Sequence, residues 1–230
     1  MSEEKKARVL VVTSGKGGVG KTTSTAALGA ERRVVFDLIN VIHGVAKLSQ
    51  ALIRDKRVEN LQLLAASQTR DKDALTEEGV AKVIDELRPK FDWIICDSPA
   101  GIERGATLAM RHADAAIIVT NPEVSSVRDA DRIIGLLDSK TEKAERGEML
   151  AIEDVLEILS VPLLGIIPES EEVLRASNVG SPVTLNSAQS APAKAYFDAV
   201  RRLKGEQVPM NVHTESRGLL NKLFGRKAAA

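Results

Sequence analysis

A glycine-rich segment near the start of the chain has the residue types and the spacing of a phosphate-binding loop. Residues 15–22 read Gly-Lys-Gly-Gly-Val-Gly-Lys-Thr and stand between an apolar run and a helical pattern. Glycines let backbone N–H groups turn inward around phosphate oxygens, Lys21 can neutralise the β- and γ-phosphates, and the Thr22 hydroxyl can ligate Mg²⁺. A strand-to-helix turn that binds nothing is the alternative. We predict that the following residues bind a nucleotide: Gly15, Lys16, Gly17, Gly18, Val19, Gly20, Lys21, Thr22 and Thr23.

Two charged residues extend this site. Lys16 follows the first glycine, where an ordinary phosphate loop needs no second lysine, so it either points at a partner's nucleotide or is a solvated loop residue. Asp97 follows the apolar run 93–96, at the end of a strand where ligands of open α/β sheets bind. A carboxylate there can hold Mg²⁺ through water, although Asp-Ser-Pro-Ala-Gly also makes a good turn. We predict Lys16, Lys21 and Asp97 as catalytic residues and Thr22 and Asp97 as metal-binding residues.

The elements that would position these residues follow from apolar runs and their periodicity. Strands are predicted at 9–12, 61–64, 93–96, 116–119 and 163–167, and helices at 76–87, 127–137, 152–159 and 191–203. Their alternation predicts an α/β fold with a doubly wound, mostly parallel sheet. The length fits one domain, which we place at 1–204, followed by a polar linker at 205–215 and a tail at 216–230.

Composition excludes several classes of protein. Lys and Arg together number 32, as do Asp and Glu, so the overall charge does not predict nucleic-acid binding, and only a local basic patch could provide it. The single cysteine, Cys96, excludes a disulfide framework and is expected to be a buried thiol in a reducing compartment. Because the N-terminus lacks an apolar signal core and no apolar run reaches the length of a membrane span, a cytoplasmic location is predicted.

The last residues form a different kind of pattern. Residues 217–225 read Arg-Gly-Leu-Leu-Asn-Lys-Leu-Phe-Gly, and a helical projection gathers four large apolar side chains within about 140°. A short basic amphipathic helix after a polar linker predicts a peripheral anchor on anionic lipids, and a helix folded back onto the domain is the alternative. The predicted membrane residues are Leu219, Leu220, Lys222, Leu223 and Phe224.

Longer stretches of the chain resemble one family. The pattern Lys-Gly-Gly-x-Gly-Lys-Thr at 16–22 is that of deviant Walker A ATPases, and residues 31–37, 66–75, 120–129 and 174–178 resemble the MinD branch of the ParA–MinD family. The resemblance covers nearly the whole chain. It implies a P-loop NTPase that binds ATP and Mg²⁺, forms an ATP-dependent homodimer with Lys16 reaching across it, and cycles on the inner face of the cell membrane to position the division site.

The same resemblance implies two protein partners, a MinC-like division inhibitor and a MinE-like activator. In the family these partners meet exposed carboxylates on one helix, which correspond here to Asp129 and Asp131. The alternative is that both acids are first-turn residues of a helix that begins near Ser125 or Ser126, where a carboxylate complements the helix dipole.

Two parts of the family pattern have no counterpart in this sequence. After Ala27 the family continues through a strand and an Asp-x-Asp switch segment, and after Glu145 through another strand and an adenine-contacting segment. The resemblance therefore implies nucleotide binding more strongly than hydrolysis. A lost strand would expose backbone and apolar groups unless 34–39 takes its place. The other hypotheses are a ParA-like DNA-segregation ATPase, with a basic DNA-binding surface, and a nucleotide-binding membrane scaffold without turnover.

Overall fold

The computed structural model describes residues 6–18, 35–66, 74–102, 104–137, 152–179 and 181–210. The strands in these ranges are β1 Arg8–Thr13, β2 Ile53–Arg54, β3 Gln62–Leu63, β4 Trp93–Asp97 and β5 Ala115–Ile118. The helices are α1 Leu38–Ile42, α2 Leu48–Ala51, α3 Glu77–Leu87, α4 Arg104–Arg111, α5 Val124–Leu137, α6 Ile152–Leu159, α7 Glu171–Asn178, α8 Val183–Asn186 and α9 Ala191–Leu203.

The centre of the fold is a parallel sheet in the order β4-β1-β5. β1 is a continuous apolar run because it has a strand on either side, and Val9 and Val11 are fully buried. Val12 pairs with Asp97 of β4, and Thr13 pairs with Ile118 of β5. The carboxyl ends of the three strands therefore meet at one edge of the sheet, as the sequence predicted.

Helices pack against this sheet through small apolar clusters. Val11 contacts Ala106 and Met110 of α4 and Ile133 of α5, and Cys96 packs against the same cluster. Val127 and Ala130 of α5 also join Leu159 of α6. Partial burial of Cys96 raises the pKa of its thiol to about 11, in agreement with the predicted core position.

The amino end of the sheet is held by one ion pair. The Arg88 guanidinium donates to both carboxylate oxygens of Asp114, at 3.1 and 3.2 Å, and to the carbonyl oxygen of Ala7 at 2.9 Å. The backbone N–H of Val9 donates to the same carboxylate at 2.7 Å. These hydrogen bonds, first from Arg88 and then from Val9, lower the pKa of Asp114.

The predicted helices are confirmed with small shifts. α6 and α9 have the predicted bounds, α5 begins three residues earlier than predicted, and α3 begins at Glu77 after Thr76. The Thr76 hydroxyl accepts a hydrogen bond from the Gly79 N–H at 3.1 Å, which is a typical N-cap and explains this boundary.

One strand prediction is wrong and another is confirmed only in part. The run 61–64 contributes only β3, which pairs antiparallel with β2 in a separate two-stranded sheet. The run 163–167 lies outside any strand, because a strand needs a ladder partner and none is present in the described ranges. The described residues 35–39 do not supply a replacement strand, since α1 begins at Leu38 with Asp37 as its N-cap, whose carboxylate accepts from Asn40 N–H at 3.0 Å.

The sheet is consequently narrow in the part of the chain that the structure describes. β4 has β1 on one side only, and the Ile95 side chain is 44% exposed. None of the described helices is long and apolar enough to cross a membrane.

Candidate functional site

The phosphate-loop segment leaves the sheet at the carboxyl end of β1 and is joined there to the segment that follows β4. The Ser14 side chain is fully buried, and its hydroxyl donates to the carbonyl oxygen of Lys16 at 2.7 Å. The Gly101 N–H donates to the carbonyl oxygen of Ser14 at 2.9 Å, and the Ser98 N–H donates to that of Val12 at 3.1 Å. The two segments therefore form one rim along the edge of the sheet.

Left-handed backbone shapes both segments. Gly18 has φ of 80° and Gly101 has φ of 86°, conformations that cost little only for glycine. A turn of this kind directs successive N–H groups to one side, which is the arrangement that binds phosphate oxygens. The loop backbone thus fits the nucleotide site that the sequence predicts.

Gly15 is required for a second reason, because the loop lies against α5. A Cβ atom added to Gly15 would stand 2.1 Å from the Cβ of Asp129 and 2.4 Å from its carbonyl oxygen. No side chain fits in that space, so any L-residue here would push the loop and the helix apart. The sequence motif identified Gly15 as a phosphate-binding residue, but it did not reveal this helix contact.

Lys16 contacts the beginning of the same helix within its own chain. Its ammonium donates to the Glu123 carboxylate at 3.1 Å and to the Ser125 hydroxyl at 3.4 Å. The side chains of Lys16 and Glu123 are 45% and 51% exposed. An ion pair in this setting is weak, so Lys16 can leave it at little cost.

Asp97 lies where the sequence placed it, at the carboxyl end of β4 and beside Val12, in an exposed position. The described ranges contain no group of three or more His, Cys, Asp or Glu side chains that would hold a metal on their own. Mg²⁺ bound through the Asp97 carboxylate, a hydroxyl and nucleotide phosphates stays a prediction from the sequence.

The structure corrects one interpretation of the acids on α5, that they are first-turn residues, while their contact with protein partners stays a prediction. α5 begins at Val124 and has no acidic residue in its first turn, so Asp129 and Asp131 lie too far along it to complement the dipole there. Both acids are half-buried rather than exposed. The close approach of Gly15 covers Asp129, whose carboxylate accepts from Arg132 at 3.3 Å.

Several predicted site residues lie outside the described ranges and remain predictions from the sequence. In the loop these are Val19, Gly20, Lys21, Thr22 and Thr23, and in the tail they are Leu219, Leu220, Lys222, Leu223 and Phe224. Sequence reasoning missed the roles of Ser14, Glu123 and Ser125 around the loop. Of these three residues, only Ser14 could have been identified from the sequence, because it directly precedes the glycine motif.

Comparisons with known proteins give a consistent result. Residues 10–183 match the family model of the CobQ/CobB/MinD/ParA nucleotide binding domain. The septum site-determining protein MinD of Escherichia coli strain K12 is 52% identical over 269 aligned positions, covering 95% of this chain and 99% of that protein.

Solved structures agree with the sequence relatives. A MinC:MinD cell division protein complex from Aquifex aeolicus contains a chain that is 40% identical, with a TM-score of 0.75 and coverage of 88% of this chain and 98% of that one. The septum site-determining protein MinD of Pyrococcus horikoshii, complexed with Mg-ADP, is 26% identical, with a TM-score of 0.74 and coverage of 86% and 96%.

The alignment also bears on the two missing segments. It spans 269 positions, whereas this chain has 230 residues, so the Escherichia coli relative carries internal residues that have no counterpart here. That the unmatched residues fall after Ala27 and Glu145 stays a prediction from the sequence pattern.

Proposed function

The chain belongs to the MinD/ParA family of P-loop ATPases, and we propose that it positions the cell-division site by bringing a MinC-type inhibitor to the membrane in its ATP-bound form. The observation that carries this proposal is the loop from Gly15 to Gly18 at the same sheet edge as Asp97, in a chain with 52% identity to a MinD. The DNA-segregation hypothesis is not favoured, because the relatives reported above are septum-site proteins.

At the site, each residue has a separate task. Lys21 and the loop N–H groups would bind the β- and γ-phosphates of ATP, while Thr22 and Asp97 would hold Mg²⁺. The bound ion would neutralise phosphate charge. Hydrolysis by water depends mainly on positioning and charge compensation, so the rigid rim of Ser14 and Gly101 supports it by fixing the loop.

Lys16 would act on a second subunit. In the free chain its ammonium is held by Glu123 and Ser125, and this exposed pair is weak enough to be exchanged for the phosphate of a partner's nucleotide. Nucleotide binding would therefore favour a homodimer. Two tails in one dimer would then attach to the inner face of the membrane far more strongly than one.

The surface for the inhibitor and for a MinE-type activator would include α5. Asp129 and Asp131 lie on this helix, and Gly15 packs directly against Asp129. Since the phosphate loop and the helix touch without an intervening side chain, a shift of the loop on nucleotide binding would be transmitted to the partner surface.

Sedimentation with anionic vesicles tests this function. The full chain is spun with ATP and Mg²⁺, with ADP, and without nucleotide, beside a version that ends at Glu215. Pelleting that requires both ATP and the tail is expected. Pelleting that requires the tail but ignores nucleotide would favour a static membrane scaffold, and no pelleting at all would contradict the membrane role.

Turnover requires a separate measurement, because the alignment leaves segments of the relatives without a counterpart. Phosphate release is followed with vesicles and an activator of the MinE type. A chain that binds ATP but releases no phosphate under these conditions would be a nucleotide-dependent scaffold, which the sequence favours because it has no counterpart of the family's Asp-x-Asp segment.

A further inference from the structure

A basic groove lies at the opposite end of the sheet from the phosphate loop. Its described lining consists of Arg8, Trp93, Leu203, Lys204 and Gly205, and its volume is about 330 Å³. Arg8 begins β1 and Trp93 begins β4, while Leu203 ends α9. We name these five residues the α9 groove, and nothing in the proposed nucleotide chemistry uses it.

Arg8 and Lys204 give the α9 groove two cationic side chains, and the charge of Arg8 also contributes to lowering the pKa of the nearby Asp114 carboxyl. Neither Arg8 nor Lys204 forms a salt bridge within the described part of the chain, and no carboxylate is among the described lining residues. The nearby carboxylate of Glu206 is already bound to Arg201 at 2.8 Å. The Arg8 guanidinium stands 5.8 Å above the Trp93 ring, a cation–π contact that helps to position this exposed side chain.

The helix beside the groove adds apolar surface. Phe197 and Val200 are 46% and 53% exposed, and with Lys204 they occupy an arc of about 60° on α9. Exposed aromatic and aliphatic side chains bordered by cations form the pattern of an interfacial membrane contact. The half-buried Trp93 ring is also a residue type that prefers the headgroup level.

The position of the α9 groove connects it to the tail. Arg202 donates to the carbonyl oxygens of Val208 at 2.9 Å, Pro209 at 2.7 Å and Leu164 at 3.0 Å. The segment that leads toward the amphipathic tail is thereby held against the end of α9. A tail that enters a membrane from this point would bring the groove close to the same surface.

We propose that the α9 groove binds the phosphate of an anionic phospholipid headgroup and is a second membrane contact beside the tail. The proposal rests on the membrane attachment proposed above. Arg8 and Lys204 would pair with the headgroup phosphate, and Phe197 and Val200 would rest at the acyl boundary. The groove would thus fix the orientation in which the domain lies on the membrane.

Trp93 is the sole tryptophan of the chain, so its fluorescence reports on the groove alone. The full chain with ATP and Mg²⁺ is titrated with phosphatidylcholine vesicles that contain phosphatidylglycerol, with and without brominated acyl chains. We expect a blue shift of the Trp93 emission and its quenching by brominated lipid. Soluble glycerol phosphate is titrated separately, and it should shift the emission only weakly if the site is built for a membrane surface.

The test variant is Arg8→Gln with Lys204→Gln, and the matched control is Lys47→Gln with Lys82→Gln, two exposed lysines elsewhere on the domain. Each cation near an anionic surface contributes about fivefold to binding, so the test variant, which loses two, should bind about 25-fold more weakly and lose the quenching. The control should bind as the parent does. The variant Arg8→Lys with Lys204→Arg keeps both charges, so it should retain vesicle binding. That result would show that altered packing does not cause the loss of binding in the test variant.

One contrary result is that the test variant binds vesicles as tightly as the parent while removal of the tail abolishes binding. This result would overturn the proposed lipid site in the groove and leave the proposed function unchanged. A parent chain that binds no vesicles would overturn both. If the test variant loses binding to duplex DNA but still binds vesicles, the ligand of the groove is a nucleic acid and not a lipid. This result would overturn the proposal.

Discussion

Gly15 of the phosphate loop lies directly on the backbone of Asp129 in α5. A Cβ atom at position 15 would stand 2.3 Å from the Asp129 carbonyl carbon, well inside any allowed contact. The loop that would hold the nucleotide and the helix that would meet protein partners are therefore one packed unit, although the two residues are far apart in the sequence.

Gly15→Ala should destabilise the protein, because the added methyl group has no space. Overpacking of this kind costs about 1–3 kcal/mol, and the displaced loop should also bind nucleotide less tightly. Urea unfolding and nucleotide titration measure the two effects. Gly135→Ala on the same helix is the control, since its Cβ would meet nothing within 4 Å and should stabilise α5 by about 0.5–1 kcal/mol. Equal stability of Gly15→Ala and the parent would contradict the contact.

Lys16→Ala should abolish the ATP-dependent dimer while leaving the free energy of unfolding within about 0.5 kcal/mol, because the Lys16–Glu123 pair is exposed. Sedimentation velocity with ATP and Mg²⁺ gives the association state, and a fluorescent nucleotide shows whether binding persists. Lys56→Ala, at another exposed lysine, serves as the control. If the Lys16→Ala variant still dimerises, Lys16 does not act across the subunits as proposed.

Asp114→Asn should lower stability at neutral pH by about 1 kcal/mol, because Arg88 and the Val9 N–H lose a charged acceptor. The pKa of Asp114 is lowered in the folded state, so its contribution is complete above the unfolded value of about 3.9 and disappears as the pH falls through the folded value. The difference between parent and variant in urea unfolding should therefore shrink below about pH 4. Glu171→Gln, in the exposed pair with Arg175, should change stability little at any pH.

Cys96 should not react with aromatic disulfide reagents in the native protein at about pH 8.5, where a free thiol is half ionised. Its pKa is raised to about 11 by burial beside Val11, so little thiolate is present and access is restricted. In concentrated guanidinium chloride the same chain should release one equivalent of reporter, as it has a single cysteine. Rapid reaction of the native protein would show that β4 is not packed against its helices.

The parts of the fold that the sequence predicted are those with a strong local pattern. β1, β4 and β5 are continuous apolar runs because they pair in a parallel sheet with helices packed on it, and α9 repeats its apolar residues at helical spacing. α4 was not predicted, since only Ala106 and Met110 of its residues are buried and arginines stand at both of its ends.

The remaining features depend on partners distant in sequence, which periodicity cannot provide. The run 163–167 has the composition of a strand, but the Leu164 carbonyl oxygen is bound by Arg202 of α9 rather than by a ladder. Lys16 was recognised as unusual from the glycine motif, yet its contact with Glu123 joins residues that are 107 positions apart. The half-burial of Asp129 likewise follows from Gly15 and not from its own helix.

The three hydrogen bonds of Arg202 also hold the last described residues against α9. Because the carbonyl oxygens of Val208 and Pro209 are hydrogen-bonded to Arg202, the predicted linker and tail are attached to the domain at Pro209 and not at the end of α9. A shorter linker between two attachment points lowers the entropic cost of forming the second attachment. If the proposed dimer attaches to a membrane through two tails, loss of the Arg202 hydrogen bonds should weaken that attachment even though neither tail is changed.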